Sequence, residues 1–371
     1  MNAPLLSISR RLRHTPFTRR VTEAGVKAYT VYNHMLLPTV FESIEADYHH
    51  LKKHVQIWDV SCERQIEIKG PDASKLMQML TPRDLRAMTP GQCYYIPIVD
   101  ETGGMLNDPV ALMFDDEKFY ISIADNDTLY WAQGIAYGFR LDVDVTEPDV
   151  SPLAVQGPKA DELMARVFGE SVRDIRFFKF RMYDFQGQPM AIARSGYSKQ
   201  GGYEIYVDGT EYGEPLWDAL MDAGADLNVR AGCPNGIERV EAGLLSYGND
   251  MDWRNTPHEC GLGKFCDTHL AIGCVGRDAL LRVATEGPMR QIRNLSIHGD
   301  KVPPCTDMWS AFVDGEHIGD VTSAVWSPDF ETNVAIGMIG RDHWDDGTVI
   351  EIEAPDGMRK ATVLEKPFIE R

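Results

Sequence analysis

The chain has 371 residues, a length that suggests two or three domains, and 43% hydrophobic and 25% charged residues, a composition typical of a folded protein. Its formal net charge of -19 argues against binding to nucleic acid, because contact with a phosphate backbone requires a basic surface. No stretch approaches the roughly 18 consecutive apolar residues of a membrane span. The seven cysteines are odd in number and contain no C-x-x-C pair, which favours free thiols and a cytoplasmic location.

The N-terminal segment is rich in arginine. Five arginines precede the first acidic residue, Glu23, as in a transit peptide. However, there is no apolar core for secretion, and Pro16 would break an amphipathic helix. We therefore expect an arm of the folded protein rather than a cleaved signal.

Helices and strands are mixed between residues 61 and 147, and this segment is predicted to form a compact inserted α+β domain. Alternation of apolar and polar residues predicts the strands, and apolar residues at helical spacing predict the helices. The predicted elements are strands at 65–70, 119–125 and 140–147 and helices at 72–81 and 127–137.

The rest of the chain is also mixed, and it becomes rich in strands after residue 266. Residues 151–169 read as a strand, a Gly-Pro turn and a helix, and residues 180–195 as a hairpin that turns near Gly187. A helix is predicted over 234–248, with Val240 and Leu244 on its apolar face and its end near Gly248.

The stretch "DETGGMLNDPV" at 100–110 contains a first candidate site. Gly103-Gly104 predicts a hairpin turn, with a strand that begins at Met105. Pro109 has no N–H and suits an edge or a break in a strand. An acid beside such a break, here Asp108, either points into a cavity or caps the turn, and the sequence gives the two interpretations equal weight.

The stretch "ARSGYSKQGGYEIYV" at 193–207 contains a second candidate site, in which Glu204 stands among three tyrosines. A buried carboxylate can accept two parallel N–H bonds from the edge of an aminopyrimidinone ring. The faces of Tyr197, Tyr203 and Tyr206 can also bind a sulfonium or ammonium group. Core packing in a hairpin explains the same residues, and spacing alone favours it.

No metal site is predicted. His49, His50 and His54 lack the glutamate of a helical zinc motif and are interleaved with lysines, so they are predicted to lie on a solvated helix face. No phosphate-binding or dinucleotide fingerprint is present, which gives no indication of a redox or phosphorylated cofactor.

Five motifs, in this order and spacing, resemble the tetrahydrofolate-dependent aminomethyltransferase superfamily, the glycine-cleavage T-protein group: "GGMLNDP", "AVQGP", "ARSGYSKQGGYEIY", "ERVEAGLLSYGNDMD" and "TPHECGLGKF". Four further stretches resemble the branch of that superfamily that demethylates dimethylsulfoniopropionate (DMSP): "SRRLRHTPFTRRV", "AYTVYNHMLLPTVFES", "HLKKHVQIWDV" and "GCPNGIERVE". The resemblance implies an α+β fold, an aminomethyltransferase-like ring of three domains around a central folate channel. These domains would be residues 1–60 with 148–265, the insert 61–147, and a β-barrel-like domain at 266–371.

The resemblance also implies roles for particular residues. Asp108 falls at the position of the catalytic acid that faces the reactive centre of the folate, and Glu204 falls where the pterin is read. Arg239 falls on a structural or anchoring position. The remaining implied positions are Tyr95, Phe178 and Tyr206 for the folate, and Phe17, Ser122, Tyr197 and Tyr206 for a sulfonium substrate.

The implied reaction is direct methyl transfer from a sulfonium sulfur to N5 of tetrahydrofolate, without redox chemistry and without a metal. Tyr197 departs from the tryptophan that the demethylase pattern carries, and its ring attracts cations less strongly. Two alternatives stay open: an amine-linked transfer that yields 5,10-methylenetetrahydrofolate, and a folate-binding protein without turnover. The resemblance further suggests a homodimer.

Overall fold

The structure is a computed structural model that describes residues 8–370, so residues 1–7 of the predicted first domain and residue 371 of the predicted last domain lie outside the described residues. None of the helices described there combines the length and the apolar character that a membrane span requires. Within residues 8–370 the α-helices are α1 (Thr18–Glu23), α2 (Ile44–Lys53), α3 (Ala73–Leu80), α4 (Thr128–Gly138), α5 (Ala160–Phe168), α6 (Gly213–Ala223), α7 (Gly236–Glu241) and α8 (Arg277–Glu286).

The strands are interspersed with these helices, and the last six follow α8. They are β1 (Ala28–Tyr32), β2 (Met35–Val40), β3 (Val55–Asp59), β4 (Gln65–Lys69), β5 (Gln92–Tyr95), β6 (Ile98–Val99), β7 (Met105–Asn107), β8 (Val110–Asp115), β9 (Lys118–Ser122), β10 (Asp144–Thr146), β11 (Val150–Gln156), β12 (Phe180–Phe185), β13 (Gln188–Ala193), β14 (Gly202–Asp208), β15 (Val229–Gly232), β16 (Arg290–Ile297), β17 (Trp309–Val313), β18 (Glu316–Ser327), β19 (Thr332–Gly340), β20 (Val349–Ala354) and β21 (Gly357–Leu364).

The described residues divide into two compact units. The first unit contains residues 8–65, 148–196 and 200–234, and the second contains residues 66–147, 197–199 and 235–370. The finer division into three domains, with the insert and the C-terminal segment separate, stays a prediction.

The first unit is built on a six-stranded sheet in the order β12-β13-β14-β11-β3-β15, in which β15 runs parallel to β3 and the other pairs are antiparallel. Side chains of a strand alternate between the two faces of its sheet. One face of this sheet packs with α1, α5 and α6 into a hydrophobic core that includes Ile57, Val155, Ile205, Leu163 and Trp217.

The other face of this sheet carries the residues between those core positions. Glu204 and Tyr206 alternate with the core residues of β14, and Gln56 and Trp58 alternate with those of β3. Because a strand repeats every two residues, the sequence that builds the core also fixes which polar side chains share the opposite face.

The second unit contains a five-stranded sheet in the order β10-β4-β9-β8-β5 and a closed barrel in the order β16-β19-β18-β17-β20-β21. The sheet packs with α3 and α4 around a core that includes Ile68, Leu76 and Ile121. The barrel interior includes Leu295 and Val363. The predicted elements at 65–70, 72–81, 119–125 and 127–137 are all present, whereas the strand predicted at 140–147 shortens to β10.

The helix predicted over 234–248 is wrong in length, because α7 ends at Glu241. Gly243 has a φ of +64°, in the left-handed region, and terminates the helix. Its N–H donates to the carbonyl of Val240 (3.2 Å), and the Leu244 N–H donates to the carbonyl of Arg239 (2.9 Å). This pair of bonds is the Schellman C-cap, which a glycine favours.

The interpretation of the histidine-rich segment as a solvated face is wrong for His50. Its side chain is buried, and Nε2 lies 2.9 Å from the carbonyl oxygen of Asn228. Burial lowers the pKa of His50 to about 4. Among residues 8–370 no group of three or more His, Cys, Asp or Glu side chains could hold a metal ion, and none of the seven cysteines, all within that range, forms a disulfide bond.

We expect Gly243→Ala to destabilise the protein by about 2–4 kcal/mol, because alanine is strained at positive φ and its Cβ would lie 2.8 Å from Pro367 Cγ. Gly248→Ala is the matched control, since Gly248 has a φ of +88° with no atom within 4 Å of the added Cβ. It should cost only about 1 kcal/mol of backbone strain. Urea unfolding measures both, and equal losses would contradict the steric argument.

Candidate active site

Asp108 lies between β7 and β8, where Pro109 interrupts the backbone pairing as predicted. The buried side chain of Asn107 fixes this corner. Its Oδ1 accepts the N–H of Ala124 (2.9 Å) and the N–H of Asp108 (3.0 Å), and its Nδ2 donates to the carbonyl of Ala124 (3.1 Å). The backbone that presents Asp108 is therefore held by an amide that uses both of its polar atoms.

The Asp108 carboxylate has a direct partner in Tyr95. The Tyr95 hydroxyl donates to Asp108 Oδ2 (2.8 Å), and Tyr95 pairs with Val110 across the β5–β8 ladder. The rings of Tyr95 and Phe265 pack in a T-shaped arrangement at a centroid distance of 5.4 Å. The structure thus brings together two residues, 13 positions apart in sequence, that the resemblance assigned to the folate site.

The environment of this pair is unfavourable for charge. Tyr95 packs against an apolar cluster that contains Met105, Tyr247, Met251 and Cys260. Burial raises the pKa of Asp108 to about 7, against the opposing hydrogen bond from Tyr95. Burial likewise raises the pKa of Tyr95 well above its ordinary value, so the phenol stays a hydrogen-bond donor at neutral pH.

Ser122 and Tyr197 both lie in the second unit. Ser122 is buried at the end of β9 and pairs with Val110 of β8. Asp108 lies two residues before Val110, so Ser122 is near it. Tyr197 is half-buried, and its hydroxyl donates to the carbonyl of Leu245 (2.7 Å). Its ring is thus fixed at the hydroxyl end by the backbone.

Arg239 is largely buried and holds a fully buried acid. Nη1 donates to Asp250 Oδ2 (2.9 Å), and Nη2 donates to Ser323 Oγ (2.6 Å) on β18. Asp250 Oδ1 also accepts from the hydroxyl of Ser323 (2.6 Å). These bonds tie α7 to the barrel, which is an anchoring arrangement.

Glu204 lies on β14 in the first unit and is 7% exposed. The hydroxyl of Ser195 donates to Glu204 Oε2 (2.5 Å). Across the sheet, Ala154 and Ala193 are its partners on the two neighbouring strands. Burial raises the pKa of Glu204, and the hydroxyls of Ser195 and Tyr206 oppose that rise.

Tyr206 lies two residues along the strand from Glu204, on the same face and 1% exposed. Phe178 precedes β12 with a φ of +57°, and its ring lies 4.7 Å from that of the exposed Phe177. Phe17 is fully buried in the core of the first unit, 6.1 Å from the ring of Trp217. The structure gives Phe17 a packing role, and its substrate contact stays a prediction.

Reasoning from sequence missed three contributors to the Asp108 environment. These are Asn107, Tyr247, whose hydroxyl donates to the carbonyl of Met105 (3.0 Å), and Phe265. Asn107 stands beside Asp108 in the quoted motif, so its amide could have been predicted to fix the backbone there. Tyr247 and Phe265 lie in motifs quoted for the resemblance, but no sequence pattern indicated that they lie near Asp108.

The fold defines the class of protein. Glycine cleavage system aminomethyltransferase T from Bartonella henselae superposes with a TM-score of 0.86 over 97% of this chain and 98% of that chain, at 24% identity. The chain therefore has the aminomethyltransferase fold, and the predictions of an α+β fold and of a C-terminal barrel are confirmed.

Sequence comparison is more specific. The GCVT N-terminal domain matches residues 17–269, and the glycine cleavage T-protein C-terminal barrel domain matches residues 290–370, so the chain belongs to the glycine cleavage T-protein family. "Dimethylsulfoniopropionate demethylase DmdA" of Ruegeria pomeroyi is 61% identical over 357 residues, 96% of this chain and 97% of the relative. An aminomethyltransferase of Caldanaerobacter subterraneus is 28% identical over 344 residues, 90% of each chain.

The raised pKa of Asp108 predicts a pH-dependent difference between the wild type and Asp108→Asn. The folded protein keeps the carboxyl protonated up to about pH 7, whereas the unfolded chain releases the proton near 3.8. The folded state thus binds more protons in that window, and its free energy of unfolding should fall by about 2–4 kcal/mol relative to the variant as the pH rises from 4 to 7. Urea unfolding of both proteins across this range measures the difference, and parallel pH profiles would contradict the raised pKa.

Proposed function

We propose that the protein demethylates dimethylsulfoniopropionate, with tetrahydrofolate as the methyl acceptor. The observation that carries this proposal is the 61% identity to a protein named for that activity, over almost the full length of both chains. The products would be 5-methyltetrahydrofolate and methylmercaptopropionate.

The chemistry needs little activation by the protein. A sulfonium sulfur leaves as a neutral thioether, taking the electron pair of the broken carbon–sulfur bond, and the folate supplies the nitrogen that gains the methyl group. Alignment of the reacting atoms can by itself supply several kcal/mol. The task of the side chains is therefore to bind and to orient both substrates.

Glu204 is suited to read the pterin. It is an acceptor removed from water, and its neighbours across the sheet, Ala154 and Ala193, project only a methyl group each. Two parallel N–H donors of a 2-amino-4-oxo ring match a carboxylate edge. Ser195 fixes one carboxylate oxygen and so orients the other.

Asp108 is suited to the reacting end of the folate. With a pKa of about 7, its carboxyl is part neutral and part ionised at neutral pH. The ionised form can hold the proton that the acceptor nitrogen loses on methylation. A strong anion against the sulfonium would stabilise the substrate more than the transition state, and a partly neutral acid reduces that penalty.

The sulfonium itself would be bound by aromatic faces and a hydroxyl. Tyr197 offers a ring whose orientation is fixed through its hydroxyl, and Ser122 lies near Asp108 along the strands. Cation binding to such a ring contributes about 0.5–2 kcal/mol. Cytoplasmic location and a homodimer stay predictions.

Incubation of the pure protein with tetrahydrofolate and DMSP, followed by mass spectrometry, tests the proposal. We expect equal amounts of 5-methyltetrahydrofolate and methylmercaptopropionate, with dimethylglycine and glycine betaine inactive as donors. Folate binding without any product would favour a folate-binding protein without turnover.

An aminomethyltransferase activity is the second candidate, favoured by the full-length match to proteins of that name at 28% identity. It would yield 5,10-methylenetetrahydrofolate from an amine-linked donor. The same assay separates the two, because methylene rather than methyl folate would reject the demethylase proposal.

Two substitutions should separate binding from turnover. Asp108→Ala should lower kcat by 10-fold or more with little change in folate affinity, since a proton acceptor is lost. Glu204→Gln should weaken folate binding by about 1–3 kcal/mol, because a buried paired acceptor is lost. Calorimetry with 5-formyltetrahydrofolate and steady-state kinetics measure the two effects. Unchanged turnover in the first variant, or unchanged affinity in the second, would remove that residue from the site.

A further inference from the structure

Gln156 is a buried side chain that the proposed mechanism does not use. It ends β11, is 1% exposed, and lies on the same sheet face as Glu204. Its Nε2 donates to two backbone carbonyls, those of Ser195 (3.2 Å) and Tyr203 (3.3 Å). Ser195 lies in the loop that connects β13 to β14, and Tyr203 lies at the start of β14.

Glycines make room for this amide. Gly196 and Gly202 have φ values of +144° and +152°, and a Cβ on either would lie 2.1 Å and 2.6 Å from Gln156 Nε2. Neither position therefore admits a side chain while the amide is in place. We call this arrangement of Gln156 between Gly196 and Gly202 the loop neck.

The loop neck lies just beyond the end of the β13–β14 pairing. The β13–β14 register runs from Ala191 opposite Tyr206 to Ala193 opposite Glu204 and does not extend to Ser195. Ser195 is two residues beyond the last pair, yet its hydroxyl is the partner of Glu204. The Gln156 amide bonds to the Ser195 backbone at the point where the ladder no longer does.

We propose that Gln156 is a positioning residue for folate recognition, which holds Ser195 and through it the orientation of the Glu204 carboxylate. This inference rests on the proposed folate-dependent function. The glutamine of the "AVQGP" motif, Gln156, would thus supply a hydrogen bond to Ser195 beyond the end of the β13–β14 pairing. Without that donor the Ser195 carbonyl loses this bond, and the Ser195 hydroxyl is held less firmly against Glu204.

The chain offers a matched control in Gln56. It is the Cα partner of Gln156 on β3, it is 2% exposed, and its amide is also fully engaged. Its Nε2 donates to the carbonyl of Asp47 (2.9 Å), and its Oε1 accepts from Trp58 Nε1 (2.8 Å). The bonds of Gln56 reach Asp47 and Trp58 and neither of the two carbonyls that Gln156 bonds, so its substitution reports the cost of disturbing a buried amide on the same sheet face.

The experiment compares Gln156→Glu and Gln56→Glu with the wild type by calorimetric titration of 5-formyltetrahydrofolate between pH 5.5 and 8.5. An ionised carboxyl at 156 repels both carbonyls, whereas a protonated one donates to one of them. We expect Gln156→Glu to weaken binding at least tenfold at pH 8 relative to the wild type, with recovery on acidification. Gln56→Glu should stay within about twofold at every pH. In turnover, Gln156→Glu should raise the KM for tetrahydrofolate more than it lowers kcat.

Equal weakening by the two variants, or no weakening by Gln156→Glu, would overturn the inference. If Gln156→Glu does not fold, Gly196→Ala decides the matter, because its Cβ would displace the same amide. Gly201→Ala is its control, with a φ of +79° and no atom within 4 Å. Equal folate affinity in these two variants would also overturn the inference. Because binding is measured without turnover, a wild type that binds folate but leaves DMSP intact would reject only the proposed activity.

Discussion

The site that the fold builds depends on two carboxyl groups that are held away from water and whose side-chain partners are hydroxyl groups. Asp108 is held by Tyr95 and Glu204 by Ser195. Removing a carboxylate from water is costly, and the hydroxyl partners offset only part of that cost, so the pKa of each acid rises. The remaining acceptor capacity is available to a ligand that brings its own N–H donors. A ligand that donates N–H bonds would therefore lower the free-energy cost of keeping each carboxylate away from water.

The surrounding fold explains how such acids are tolerated. In the first unit, one face of the six-stranded sheet buries aliphatic and aromatic side chains against helices, and that burial provides the stability that the polar face does not. In the second unit, the Asp108 corner is held by backbone bonds to Asn107 rather than by its own carboxylate. The scaffold carries the stability, and the acids remain available for chemistry.

Local sequence patterns predicted much of this fold, and their failures have identifiable causes. The turn at Gly103, the strand from Met105 and the break at Pro109 follow from backbone preferences and were confirmed. The helix after residue 234 was overextended, because apolar spacing up to Leu244 outweighed the stop signal of Gly243. Burial of His50 depends on the distant carbonyl of Asn228, which no local pattern reports.

Sequence patterns predicted the candidate site less well than they predicted the fold. Spacing singled out Asp108 and Glu204 as acids in unusual surroundings, but it left turn capping and core packing as equal or better explanations. The pairing of Asp108 with Tyr95 requires the β5–β8 register, and that of Glu204 with Ser195 requires a loop conformation. The family resemblance assigned Tyr95 to the site, whereas the positions of Tyr247 and Phe265 near Asp108 depend on the folded structure.

The two alanines that flank Glu204 have an implication for how this protein can change. A buried strand position normally accepts valine or isoleucine readily, and such a replacement would strengthen the sheet. At Ala154 or Ala193 the added methyl groups would occupy space directly beside the carboxylate. Selection for a firmer fold and selection for room beside the acid therefore act in opposite directions at the same two positions, and the smallest side chain with a Cβ is the compromise.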